Sequence, residues 1–98
     1  MYFVVFGTDK PGSAEIRAQN RPAHQVHLRE HSHPVKVLHG GPTFTDDGER
    51  MNGSMLVIEA ESLEAVKAFL AADPYSKAGL FETLEVRPWK WGLGAPAS

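Results

Sequence analysis

Five histidines stand in this 98-residue chain, and four of them, His24, His27, His31 and His33, fall within ten positions. Imidazole is the side chain that exchanges a proton near neutral pH, so the cluster marks a candidate acid–base or metal site. At roughly 100° per residue, His24, His27, Leu28 and His31 share one arc of a helix. Histidines at i, i+3 and i+7 can converge on a metal. Metal sites usually draw ligands from more than one element, however, and no second ligand group is visible, so no metal is assigned. His27, His31 and His33 read instead as solvated helix-surface or helix-end residues, the last two favoured by the dipole at a helix C-terminus.

Asp73 is the second residue of interest. It continues the apolar stripe of Leu63, Val66 and Leu70, where a carboxylate is costly unless paired or hydrogen-bonded. It stands at the negative end of a helix dipole, which suits a proton acceptor, and it precedes Pro74, where an Asp side chain equally builds a turn. On neighbouring helices, a pairing of His24 with Asp73 would fix the imidazole tautomer and prepare a general base. Nothing resembles an activated nucleophile, since Ser54 lies in a strand with no elbow motif around it. Gly40-Gly41-Pro42 lacks the lysine and the helix start of a phosphate loop and reads as a strand bulge or bend. Trp89 and Trp91, alternating with Lys90, suit a cavity wall, a core or a dimer interface.

The elements that must position these groups follow from periodicity. Tyr2 to Phe6 is an aromatic and β-branched run closed by Gly7, a first strand. A helical composition runs from Ser13 to about His31, but Pro22 inside it costs about 3 kcal/mol in a helix interior. The simplest arrangement puts Asn20 or Arg21 at a cap and Pro22 in the first turn, with a kinked continuous helix as the alternative. Val35 to His39 alternates as a second strand before Gly40-Gly41-Pro42 bends the chain, and residues 53–60 form a third, paired antiparallel to it. Ser62 stands at an N-cap with Glu64 in the first turn of a second helix, which ends at Ala72 ahead of Pro74. A turn from Tyr75 to Gly79 leads to a last strand over residues 80–91. The order β-α-β-β-α-β predicts an α+β, ferredoxin-like fold, an antiparallel sheet with both helices on one face. The other face then needs cover, and a homodimer through sheet packing supplies it.

Composition narrows the function classes. The length suits one domain, residues 1–91, with a loose Gly/Ala/Pro-rich tail over 92–98. A net charge of -2 offers no field for a nucleic-acid backbone. Cysteine is absent, which removes disulfides and thiolate chemistry and fits a reducing compartment. The opening MYFVVFGTDKPG is too short an apolar run for a membrane span and lacks the basic start of a signal peptide, so a cytoplasmic location is expected.

Several separated motifs together resemble the YCII-related family. They are Arg21-Pro22-Ala23-His24 with Leu28, His39-Gly40-Gly41-Pro42, Gly53-Ser54, Asp73-Pro74-Tyr75, Ala78-Gly79-Leu80-Phe81-Glu82 and Arg87-Pro88-Trp89, spread over residues 1–91. The resemblance implies a dimeric ferredoxin-like fold and a pocket with a His and an Asp, here His24 and Asp73. His27 departs from the aromatic or aliphatic residue expected there, a difference that either alters the pocket rim or changes nothing. An enzyme similar to the family removes chloride from a chlorinated hydroxyquinol, and the broader fold includes muconolactone isomerases and cofactor-free monooxygenases. The resulting expectation is a cofactor-independent lyase- or isomerase-type enzyme acting on a small cyclic or aromatic substrate. His24 is its general base, Asp73 orients His24, and Ser54, Tyr75 and Arg21 bind an oxygenated ligand. The alternatives are a non-catalytic ligand-binding or interaction module and a monooxygenase.

Overall fold

The computed structural model describes residues 1–96, and its first strand sets the pattern for the sheet. In β1 (Tyr2–Asp9) Phe3, Val5 and Gly7 are buried while their neighbours are wholly or partly open, the period of two that a half-covered sheet imposes. Six more elements follow: α1 (Ala14–Arg29), β2 (Val35–Phe44), β3 (Met51–Ala60), α2 (Leu63–Ala71), α3 (Pro74–Lys77) and β4 (Phe81–Trp89). The four strands form one antiparallel sheet in the order β2-β3-β1-β4. This is the ferredoxin-like α+β arrangement expected from the element order.

Register decides which side chains share a face. Val5 pairs with Leu56 and Val86, and Phe3 with Ile58 and Pro88, so these point toward the helices. Phe3, Val5, Leu56 and Ile58 meet Val66, Phe69 and Leu70 of α2 in the core, and Val86 of β4 and Leu28 of α1 pack against the same cluster. Phe3, Ile58, Val66 and Phe69 are fully buried, each side chain contributing about 1.5–3 kcal/mol relative to exposure. The capping of α2 is as read: Ser62 Oγ accepts from the Ala65 N–H at 3.1 Å.

Three expectations are corrected. First, α1 is continuous through Pro22 and begins at Ala14, not at Asn20 or Arg21. The proline withholds one N–H from the Ala18 carbonyl, but the helix is pinned on both sides of it by Arg17 and His24, both buried. Secondly, β2 does not end at His39. It runs through Gly40-Gly41-Pro42 to Phe44, with Pro42 opposite Ser54, because β2 is an edge strand and a missing N–H there leaves no ladder broken on the open side. The register shifts on either side of this segment, between Val37 and His39 and between Thr43 and Phe44. Thirdly, the segment after Asp73 is a one-turn helix, α3, and not a plain turn. Strand ends also move, with β3 starting at Met51 and β4 spanning Phe81–Trp89. Of the expected loose tail, residues 92–96 are exposed and form no helix or strand, and residues 97–98 lie outside the described residues. Among the described residues no helix is long and apolar enough to cross a membrane.

Candidate active site

Continuity of α1 places Arg17, Arg21, His24 and Leu28, at spacings of four, three and four, on one face. α1 packs against α3, and this contact brings His24 to Asp73. Nδ1 of His24 lies 2.9 Å from Oδ1 and 2.8 Å from Oδ2 of Asp73. A carboxylate only accepts, so Nδ1 donates and carries the ring proton. Nε2, the acceptor nitrogen of the neutral ring in this tautomer, has no protein hydrogen-bond partner among the described residues. Asp73 itself is 2% exposed and is held from behind, since its Oδ1 accepts from the Tyr75 N–H at 2.9 Å as the N-cap of α3, with Pro74 in the first turn. It is turn-builder and histidine partner at once.

Tyr75 is fully buried and stacks on His24, with ring centroids 3.9 Å apart and planes at 16°. The stack fixes the plane of the imidazole as the carboxylate fixes its tautomer. Burial pushes the Tyr75 phenol above its ordinary value, against the opposing pull of the Arg17 and Arg21 charges. The hydroxyl therefore stays protonated at neutral pH and is available as a donor.

Arg17 ties these groups together. It is 5% exposed, donates through Nε and Nη2 to the two oxygens of Asp9 at 2.7 and 2.9 Å, and gives a further bond from Nη2 to Ser54 Oγ at 2.9 Å. Its Nη1 is 3.4 Å from the Tyr75 hydroxyl and its Cζ 4.7 Å from the Tyr75 ring centroid. Burial works against the guanidinium charge, but the hydrogen bonds and negative charge of Asp9 outweigh it and hold the pKa above its usual value.

A cavity of about 260 Å³ opens on this arrangement, lined by Arg21, His24, Ser54 and Tyr75 together with Gly40 and Gly41. Gly40 has a steric reason, since a Cβ there would stand 2.7 Å from Leu56 Cδ2, whereas a Cβ on Gly41 would meet nothing within 4 Å. The five residues singled out in the sequence, His24, Asp73, Ser54, Tyr75 and Arg21, thus come together, four on the cavity wall and Asp73 behind His24. Arg17 and Asp9 were not singled out. Arg17 is two helical turns before His24, a spacing that shows only when α1 is taken through Pro22.

The other histidines go elsewhere, and their expected solvation is corrected. His27 donates from Nε2 to the Phe69 carbonyl at 2.9 Å and stacks on the Phe69 ring at 4.4 Å, while His31 and His33 close on the same ring at 4.7 and 5.6 Å. They are half-buried because α2 presents Phe69 to this end of α1. Burial, then the charges of His27 and His33, push His31 below its ordinary value. His27 does not line the dyad cavity, which favours the second of the two outcomes, an unaltered rim. Among the described residues no group of three or more His, Asp or Glu is arranged to hold a metal. Trp89 and Trp91 pack with Tyr2, away from the dyad, on the sheet face opposite the helices.

Fold and site define a ferredoxin-like α+β protein with a buried His–Asp pair opening on a small cavity. The chain belongs to the YCII-related domain family, whose profile matches residues 1–90. The curated protein YciI of Escherichia coli is 37% identical over 95 residues, covering 92% of this chain and 97% of its own. A solved structure, 5-chloro-2-hydroxyhydroquinone dehydrochlorinase from Burkholderia phenoliruptrix in complex with 2,5-dihydroxybenzoquinone, is 40% identical. It superimposes with a TM-score of 0.81 over 94% of this chain and 96% of that one. A cofactor-independent oxygenase from Streptomyces nogalater, 15% identical with a TM-score of 0.52 over 98% and 96% of the two chains, shares the fold.

Proposed function

We propose that this protein is a cofactor-independent enzyme of lyase or isomerase type that acts on a small cyclic or aromatic substrate, with His24 as general base and Asp73 as its orienting partner. The observation that carries the reading is the 2.8 Å contact of His24 Nδ1 with buried Asp73, which leaves Nε2 as the ring nitrogen without a protein partner, among the described residues, on a residue lining the cavity. In the proposed step Nε2 takes a proton from a substrate carbon. The electrons of that C–H bond form a new double bond, and the pair of the bond to an adjacent leaving group departs with it, as chloride from a chlorinated ring. In an isomerisation the imidazolium returns the proton at another carbon instead. Asp73 stabilises the imidazolium in both cases. The Tyr75 hydroxyl, Ser54 and Arg21 hold substrate oxygens. The 40% identity to a dehydrochlorinase, whose name describes such an elimination, supports this class.

The test is turnover of hydroxylated and chlorinated ring compounds by the wild-type protein, His24→Ala and Asp73→Asn. Turnover indifferent to both changes ends the dyad proposal, and saturable binding with no turnover makes the protein a binding module instead.

We also infer a homodimer formed through the sheet face opposite the helices. Register puts Val4 with Val57 and Phe6 with Met55 on that face, and Phe6 is 46% exposed. An apolar face of this kind favours cover by a second sheet.

A further inference from the structure

A second cavity adjoins the first. It measures about 460 Å³, and Arg17 and Arg21 line both. These two side chains therefore stand where the cavities meet, one helical turn apart on α1. The smaller cavity alone falls just below the range of about 300–1,000 Å³ in which small molecules are held. The two together reach well into it.

The larger cavity has a marked charge. Lys10, Arg17, Arg21 and Arg50 line it against a single acid, Asp9, an excess of three positive charges in a chain whose net charge is -2. Asp9 is already engaged by Arg17 through two bonds. Lys10, Arg21 and Arg50 make no salt bridge among the described residues. Between the cations lie Pro11, Ala14, Ala18 and Met51, apolar surface suited to a ring or hydrocarbon segment. Cations gathered in a concave wall concentrate anions there, and a guanidinium without a protein partner presents a paired set of donors that matches a carboxylate.

We propose that the larger cavity is an anion subsite of the dyad cavity, and that the ligand is a carboxylate-bearing ring compound whose carboxylate is gripped by Arg21 and Arg50 while its reacting end faces His24. The inference rests on the reading of His24 as the reacting residue for the direction of the ligand, but the subsite itself does not depend on turnover. Arg17, spent on Asp9 and Ser54, is a fixed wall and a positioning residue. Arg21 and Arg50 are the groups left to bind. An anion at Arg21 also lies one helical turn from His24, close enough to set the register of the reacting ring.

Calorimetric binding of hydroxylated benzoates and their matched neutral benzamides tests this. The proteins are the wild type, Arg21→Gln/Arg50→Gln, Asp73→Asn and, as a charge control on the exposed side of α2, Lys67→Gln. Both arginines are exposed and their side chains make no hydrogen bond in the protein among the described residues, so the double variant keeps the fold, as far-UV circular dichroism will show. At least one acid is expected to bind the wild type, Asp73→Asn and Lys67→Gln about tenfold more tightly than its amide, and the preference should shrink with added salt and vanish in the double arginine variant. If no acid in the panel binds more tightly than its amide, or if the preference survives loss of both arginines, the subsite is wrong. If the preference follows the arginines while turnover ignores His24→Ala and Asp73→Asn, the subsite stands and the dyad mechanism falls.

Discussion

His24 Nδ1 lies 2.9 and 2.8 Å from the two carboxylate oxygens of Asp73, a residue 49 positions away in the chain. One of those oxygens also accepts from the Tyr75 N–H, so a single side chain orients an imidazole and starts a helix. The two tasks separate by substitution. Asp73→Asn keeps an N-cap acceptor but lacks the negative charge, whereas Asp73→Ala removes both. The alanine variant should lose about 1 kcal/mol from the cap and about 1–3 kcal/mol from stranding a buried imidazole. The asparagine variant should lose clearly less stability, while its turnover falls about 10²–10⁴-fold. Urea denaturation set beside steady-state kinetics separates the cases, and equal destabilisation by the two changes would refute the double role.

Arg17 and Asp9 form a paired contact with side chains only 6% and 8% exposed. Removing one partner of such a pair leaves the other desolvated and uncompensated, at about 3–5 kcal/mol, while removing both costs less than the sum. Arg17→Ala is expected at the upper end, because Ser54 and Tyr75 also lose a partner. Arg17→Lys should recover only part, since an ammonium cannot reproduce the two-pronged bond. A double-mutant cycle with Asp9→Asn, followed by chemical denaturation, should return a coupling of at least about 1 kcal/mol. Simple additivity would show the pair to be incidental.

How these residues read in sequence depends on where their partners are. Ser62 and the stripe of Leu63, Val66 and Leu70 declare α2 because cap and stripe are both local. The order of elements along the chain was legible for the same reason, from alternation and turn residues. Pro22 misled, since its cost of about 3 kcal/mol is a local quantity, while the Arg17–Asp9 and His24–Asp73 contacts that flank it on a continuous α1 join distant segments. That error hid Arg17, which falls outside any helix begun at Asn20. Similarly, nothing near His27, His31 and His33 announces Phe69, so residues that pack on a buried ring read as solvated. Asp73 was ambiguous between capping and pairing because its geometry satisfies both.

Tyr75 supplies a prediction in pH. Burial raises its folded-state pKa above the ordinary value of 10.0. Between that value and the folded one, the native state holds a proton that the unfolded state has released, so the stabilisation is fully present below pH 10 and is lost as pH rises through the folded pKa. The chain has two tyrosines, Tyr2 and Tyr75. Absorbance titration should show one phenol ionising late, together with loss of structure, and Tyr75→Phe should remove that late phase and flatten the alkaline fall in stability. A late phase that persists in Tyr75→Phe would assign it elsewhere.

The sheet face opposite the helices makes the last prediction. Phe6 is flanked in register by Met55 and Glu85, and next along the face lie Val4, Val57 and Arg87. Trp91 packs near Tyr2 of β1 and His39 of β2, at 6.0 and 6.3 Å, and so reaches across β3 at one end of the face, where Val57 is 7% exposed. At the other end Phe6 remains open. An apolar half-face with a polar margin suits a contact between two copies, each covering the Phe6 end of the other. Sedimentation at micromolar concentration should give a dimer for the wild type and a monomer for Phe6→Glu, because two carboxylates would then face each other without partners in a dry interface. A strict wild-type monomer would remove the dimer from the proposal, and a dimer indifferent to Phe6→Glu would place the contact on another face.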